Sequence, residues 1–151
     1  MITLEIVNQS GRPVPRKFLE TWVRELSREL GREKVRGAFK NKKLTLAFVN
    51  PKDGRRLNRE FRNRDYATDV LSFDPMESGS LGELVICPEV ISRQAKEHGL
   101  LVREELGYIV LHGVLHLLGY DHEKSKAEAK RMFDLQDRVF ERLLKKFSAS
   151  I

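Results

Sequence analysis

Between Val102 and Leu118 the chain leaves a helix almost no polar face to show to water. Val102, Leu106, Ile109, Val110, Leu111, Val114, Leu115, Leu117 and Leu118 recur at helical spacing and occupy most of the circumference. A helix apolar on nearly all sides belongs inside a core, so the other elements must be wrapped around this one. His112 and His116 ride on it at positions i and i+4, on one face and one turn apart. Gly119 follows within a turn and suits the helix end, because glycine tolerates the left-handed conformation found there. The chain can then double back and bring His122 towards the same point. Three of the four histidines thus fall within eleven residues.

A lone histidine on an apolar helix is ordinarily a core residue with a satisfied hydrogen bond, and a pair can be a helix–helix contact. Three around one centre, with a fourth position open, is the arrangement of a catalytic zinc site. Cys87 is the only cysteine, which excludes both an internal disulfide and a thiolate cluster. The spacing has the shape of the long zincin motif His-Glu-x-x-His-x-x-Gly-x-x-His. Gly113 stands where those peptidases carry their general-base glutamate, so the cage is present and the peptidase base is not. The expected cofactor is one Zn²⁺ per chain on His112, His116 and His122, although nickel also accepts three imidazoles. Such an ion polarises a phosphoryl or carbonyl oxygen and lowers the pKa of bound water towards about 7. Asp121 could either orient a ligand or cap a turn. His98 lies outside the cluster, where a helix-end or surface role is expected.

The net charge of +6 is unevenly spread. Residues 31–64 hold twelve of the 28 basic residues against Glu33, Asp53 and Glu60, a local +9 that leaves the remainder at −3. A concentrated basic stretch favours a polyanionic partner, most often nucleic acid, with a solvated charged surface as the plain alternative. Cleavage of a phosphodiester needs a cation against the developing charge, and the planar fork of arginine suits phosphate oxygens. Arg55, Arg56, Arg59, Arg62 and Arg64 are all candidates, and the residues alone do not choose among them. With no run of eighteen apolar residues, no membrane span is expected. The N-terminus lacks a secretory signal, so a cytoplasmic location is the default.

At 151 residues the chain is read as a single domain, 1–151. Residues 2–7 alternate as a half-buried strand does, and Asn8–Gly11 reads as a turn. A helix is expected over 16–30, with Phe18, Leu19, Trp22, Val23, Leu26 and Leu30 inward and Gly31 at its end. Residues 32–43 read as a basic loop. Leu44–Val49 is a second strand. Asn50 caps a helix that begins at Pro51, with Leu57 and Phe61 inward and most of its arginines outward. Val70–Phe73 is a short strand, Asp74–Ser80 a loop, and Leu81–Cys87 a buried fourth strand. Pro88 opens a helix that Gly99 ends near His98. After the core helix, residues 124–147 are amphipathic, with Met132, Phe133, Val139, Phe140, Leu143, Leu144 and Phe147 inward, and Ser148–Ile151 frayed. This order predicts an α+β (mixed α/β) domain, with a sheet of about four strands, helices packed over it, and the metal site on a buried helix.

Three blocks resemble the YbeY family of bacterial endoribonucleases and ribosomal-RNA maturation factors. They are Leu57–Phe73, with its Thr-Asp-Val-Leu-Ser-Phe ending, then Gly82-Glu83-Leu84-Val85-Ile86, and then His112–His122 with Gly113 and Asp121. Glu83 stands where the family more often has aspartate. The resemblance implies a four-stranded mixed sheet flanked by helices. It implies a zinc-dependent, single-strand-specific endoribonuclease, acting on the 3′ end of 16S ribosomal RNA and in ribosome quality control. It places the zinc ligands on His112, His116 and His122 and the catalytic arginine on Arg62. Arg55, Arg59 and Arg62 are the expected nucleic-acid contacts. Ribosomal RNA and the small ribosomal subunit are the expected partners, with a monomer as the default. Two other readings stay open: a non-catalytic ribosome-assembly factor, and a zinc metallohydrolase acting on another substrate.

Overall fold

The computed structural model describes residues 1–149. In order they form β1 (Thr3–Gln9), α1 (Arg16–Arg32), β2 (Lys43–Val49), α2 (Pro51–Arg62), β3 (Val70–Phe73), β4 (Ser80–Ile86), α3 (Pro88–His98), α4 (Val102–Leu117) and α5 (Lys126–Ala149). The strands make one four-stranded mixed sheet in the order β1-β2-β4-β3. β1, β2 and β4 run parallel, and β3 pairs antiparallel to β4. The fold is therefore the expected α+β arrangement.

Alternation along the strands divides the sheet between two apolar layers. Leu44, Leu46 and Phe48 of β2 and Leu84 and Ile86 of β4 join the main core with α1, α4 and α5. Their neighbours Val49 and Val85, with Leu71 of β3, form a smaller cluster with Leu57 of α2 packed against it. So α2 covers the opposite face of the sheet from α4. Asn50 caps α2 as its sequence predicts, its side chain accepting from the Asp53 amide at 2.8 Å.

α4 is the centre of the molecule. It packs against α1, α3, α5, β3 and β4, and Leu111, Val114 and Leu115 are fully buried. Burial of each such side chain contributes about 1.5–3 kcal/mol. Two glycines let neighbours come close. A Cβ at Gly107 would lie 2.6 Å from the Trp22 ring, and one at Gly113 would lie 2.6 Å from Leu84. Trp22 uses that proximity to donate its indole N–H to the Gly107 carbonyl at 2.9 Å.

Several boundaries move. Asn8 and Gln9 belong to β1 rather than to the turn, and Lys43 and Ser80 extend their strands while Cys87 falls outside β4. Gly31 lies inside α1, which runs on to Arg32. Phe61 does not face inward: it is 60% exposed, and its ring lies against Phe73 at the edge of the sheet. Phe39, in the segment read as a basic loop, is buried. α5 continues through Ser148 and Ala149, so these two residues are helical rather than frayed, while residues 150 and 151 lie outside the described residues.

α1 and α5 are joined by charge as well as by apolar packing. Glu29 is fully buried and pairs with Arg142 at 3.0 Å and Lys146 at 2.8 Å. One turn on, Glu33 accepts from Arg138 at 2.9 and 3.1 Å and from Arg142 at 2.6 Å. The two arginines hold the Glu33 carboxyl down at about 2. Burial by itself would raise the Glu29 pKa, but Lys146, Arg142 and Arg32 outweigh it and the net shift is downward.

Candidate metal centre and its groove

His112 and His116 project from the last turns of α4. The Gly119 amide then donates to the His116 carbonyl and the Tyr120 amide to the Leu115 carbonyl, while Gly119 takes a φ of +106°. An L side chain rarely adopts that angle, and it turns the chain sharply enough to return His122 to the helix. The ring centroids form a nearly equilateral triangle: 5.1 Å for His112–His116, 5.2 Å for His112–His122 and 5.1 Å for His116–His122. One ligand nitrogen from each ring lies within 4.8 Å of the others, a spacing that can hold a metal ion.

The donor set fits a zinc ion on independent grounds. Nitrogen ligands at 2.0–2.1 Å around a tetrahedral ion lie about 3.3 Å apart, and His116 Nε2 and His122 Nδ1 lie 3.2 Å apart. Two imidazole nitrogens at that distance share either a proton or a metal. His112 is oriented from behind. Its Nδ1 lies 2.9 Å from the carbonyl oxygen of the fully buried Gln136 on α5. That oxygen only accepts, so the His112 proton sits on Nδ1 and the Nε2 lone pair is left for the centre. Burial pushes the pKa of His112 and of His116 down, with repulsion between the rings adding to it. Both rings are thus held in the neutral form that a metal requires. Phe133 closes the apolar side, 5.5 Å from the His122 ring.

Gln136 was not among the residues singled out by motif. It interrupts the inward stripe of Met132, Val139 and Leu143, and a buried polar group on an apolar stripe is the signal that would have found it. Asp121 takes the turn-capping role, its carboxylate accepting from the Glu123 amide at 2.9 Å. Tyr120, buried beneath this turn, is covered by the Arg36 guanidinium at 4.8 Å. Arg36 also donates to both oxygens of Glu128, at 2.7 and 2.8 Å. This member of the basic stretch ties a loop to the histidine turn. His98 stands apart from the cluster, 2.9 Å from Glu105, which raises its pKa.

The triangle opens into a groove of about 680 Å³, walled on one side by the histidine turn and on the other by the end of α2 and by β3. Arg62 lines it, with Glu123 3.7 Å away across the opening. Arg64 lines it as well, placed there by Asn63, which ends α2 with a left-handed φ of 53°. Arg55 and Arg59 do not line the groove. Both lie beside Asp65, at 2.8 Å and 3.9 Å, on the outer part of α2. Asp69 forms part of the wall, with one carboxylate oxygen held by the Val70 amide at 2.7 Å and the Thr68 hydroxyl at 3.2 Å. Gly113 explains the missing peptidase base. A Cβ there would lie 2.6 Å from the buried Leu84 methyl groups, so a glutamate at this position would have to displace a core side chain.

Comparison with known proteins agrees with this architecture. Residues 5–144 match the family described as Endoribonuclease YbeY. A protein named Endoribonuclease YbeY from Bdellovibrio bacteriovorus is 59% identical over 145 residues, covering 95% of this chain and 97% of that protein. One of the same name from Thermosipho melanesiensis is 37% identical over 139 residues, covering 91% and 94%. The solution structure of TM1509 from Thermotoga maritima superposes with a TM-score of 0.67 at 30% identity, covering 99% of this chain and 93% of that one. Among the described residues no helix is long and apolar enough to cross a membrane. With the match spanning nearly the whole chain and including the three-histidine segment, the protein belongs to the YbeY family.

Proposed function

We propose that this chain is a zinc-dependent, single-strand-specific endoribonuclease that matures the 3′ end of 16S ribosomal RNA and serves ribosome quality control. The observation that carries the reading is the convergence of His112, His116 and His122 at the floor of a groove that Arg62 also lines. One Zn²⁺ ion held by these histidines would supply Lewis acidity towards a phosphoryl oxygen and an acidified water. Gln136 keeps His112 in the ligating tautomer. Arg62 is the catalytic arginine, placed to pair with the scissile phosphate and to stabilise the charge that develops on it. In the free protein Glu123 occupies that guanidinium, and substrate phosphate takes its place. Arg55 and Arg59 meet the RNA backbone outside the groove and contribute affinity rather than rate. The whole chain acts as one ribonuclease domain, as a cytoplasmic monomer, with the small ribosomal subunit as its partner.

Cleavage of a short single-stranded RNA by the purified protein and by His116→Ala, prepared identically with zinc restored, tests this. Activity in the parent and background in the variant is expected. Equal activity in both would detach the chemistry from the histidine site. No activity in either would favour the assembly-factor reading, in which the groove binds ribosomal RNA without cutting it.

A further inference from the structure

Of the twelve Phe, Tyr and Trp side chains, ten are buried or half-buried. The two exceptions, Phe61 and Tyr66, sit five residues apart, beside the arginines of the groove. Tyr66 is 51% exposed and lines the groove together with Arg62, Arg64 and the three histidines. Its position is fixed from below: Asn58, itself buried, donates its side-chain amide to the Tyr66 carbonyl at 2.8 Å. That bond satisfies the buried Asn58 amide and fixes the Tyr66 backbone beside the groove. Arg64, two residues back along the chain, lines the groove beside it. The backbone of Tyr66 is therefore fixed where its ring stands at the groove.

We propose that Tyr66 is a base-stacking platform: an unpaired base of the RNA lies on its ring while Arg62 and Arg64 take the flanking phosphates. This deepens the ribonuclease reading and rests on it. An exposed aromatic face between cations is the combination that recognises single strands without sequence preference, because every base has a π-face and every linkage a charge. A duplex has its bases already stacked and cannot offer one to the ring. Tyr66 would thus supply selectivity for single strands that neither the metal nor the arginines can supply. Phe61 is equally exposed but does not line the groove. Its ring is turned against Phe73, with centroids 5.1 Å apart, which makes it the natural control.

The test measures binding rather than cleavage. In a His116→Ala background, which leaves the RNA intact, the affinity for a fluorescent single-stranded RNA and for a duplex of the same sequence is measured by anisotropy. Tyr66→Ala is expected to weaken single-strand binding by about ten-fold or more, in the range found for loss of one stacked base, and to leave duplex binding unchanged. Tyr66→Phe, which keeps the ring, should bind as the parent does, and so should Phe61→Ala. Tyr66→Trp should retain affinity, and its fluorescence should be quenched on binding while Trp22, which is buried, contributes a constant background. Equal single-strand affinity in parent and Tyr66→Ala would overturn the proposal, as would a Tyr66→Phe loss as large as that of alanine. Cleavage is scored separately on the His116 parent. Stacking without cleavage would count against the ribonuclease reading, and cleavage without a Tyr66 effect would count against the platform alone.

Discussion

The seam between α1 and α5 and the histidine centre at the end of α4 use charge in opposite ways. At the seam each group faces its opposite: Glu29 meets Arg142 and Lys146, and Glu33 meets Arg138 and Arg142. The carboxyls are held ionised and the two helices are drawn together. At the histidine centre three like groups face one another, 5.1–5.2 Å apart by their centroids. Burial keeps two of the rings neutral. The centre has its own contacts, from His112 to Gln136 and from His122 to Phe133, but no opposite charge faces the three rings among the bonds that orient them. The seam stabilises the frame, and the centre has a geometry that can hold a metal ion.

Substitutions can break this contrast from either side. The largest effect is expected from Arg62→Ala, which should lower RNA cleavage by about 10²–10³-fold and leave urea unfolding unchanged. A comparable loss of stability would make Arg62 part of the frame instead. Gln136→Leu follows. Zinc affinity in a competitive chelator titration should fall by about 10–100-fold, and Gln136→Glu, which keeps the acceptor, should restore it. At the seam, Glu29→Ala should cost about 2 kcal/mol in urea unfolding. That is below the figure for a fully buried pair, because Arg142 and Lys146 reach solvent. Zinc affinity should not change, and a change would mean that frame and centre are coupled.

The smallest effects are in pH, and their signs differ. Glu33 is held at about 2 in the folded chain against an ordinary value near 4.5. Its stabilisation is therefore complete above pH 4.5 and is lost as pH falls towards 2. His98 is shifted upward by Glu105. Its contribution is complete below its ordinary value near 6.5 and is lost as pH rises through the raised one. Unfolding followed across pH in the parent, Glu33→Gln and His98→Ala separates the two limbs.

The histidine centre was legible because it is local. Residues 112, 116 and 122 are brought together by one helix turn and one glycine, and helical spacing expresses both. Caps were legible for the same reason, as Asn50-Pro51 and Pro88 with Gly99 show. What the pattern missed depends on distant partners. Apolar spacing placed Phe61 inward, but the sheet beneath it ends at β3, so the ring lies against one strand and solvent. Gly31 reads as a helix end, yet α1 continues to Arg32, and the following Glu33 is held by α5 from over a hundred residues away. Among the five arginines, spacing gave no way to tell that Asp65 would sit beside Arg55 and Arg59 while Arg62 and Arg64 reach the groove.

The most direct measurement is the zinc content of the purified protein after equilibrium dialysis, for the parent, His116→Ala and the seam variant Glu29→Ala. The account predicts one ion per chain in the parent and in Glu29→Ala, and none in His116→Ala. Equal zinc in the parent and in His116→Ala, or none in either, would contradict it, because the three histidines would then converge on nothing.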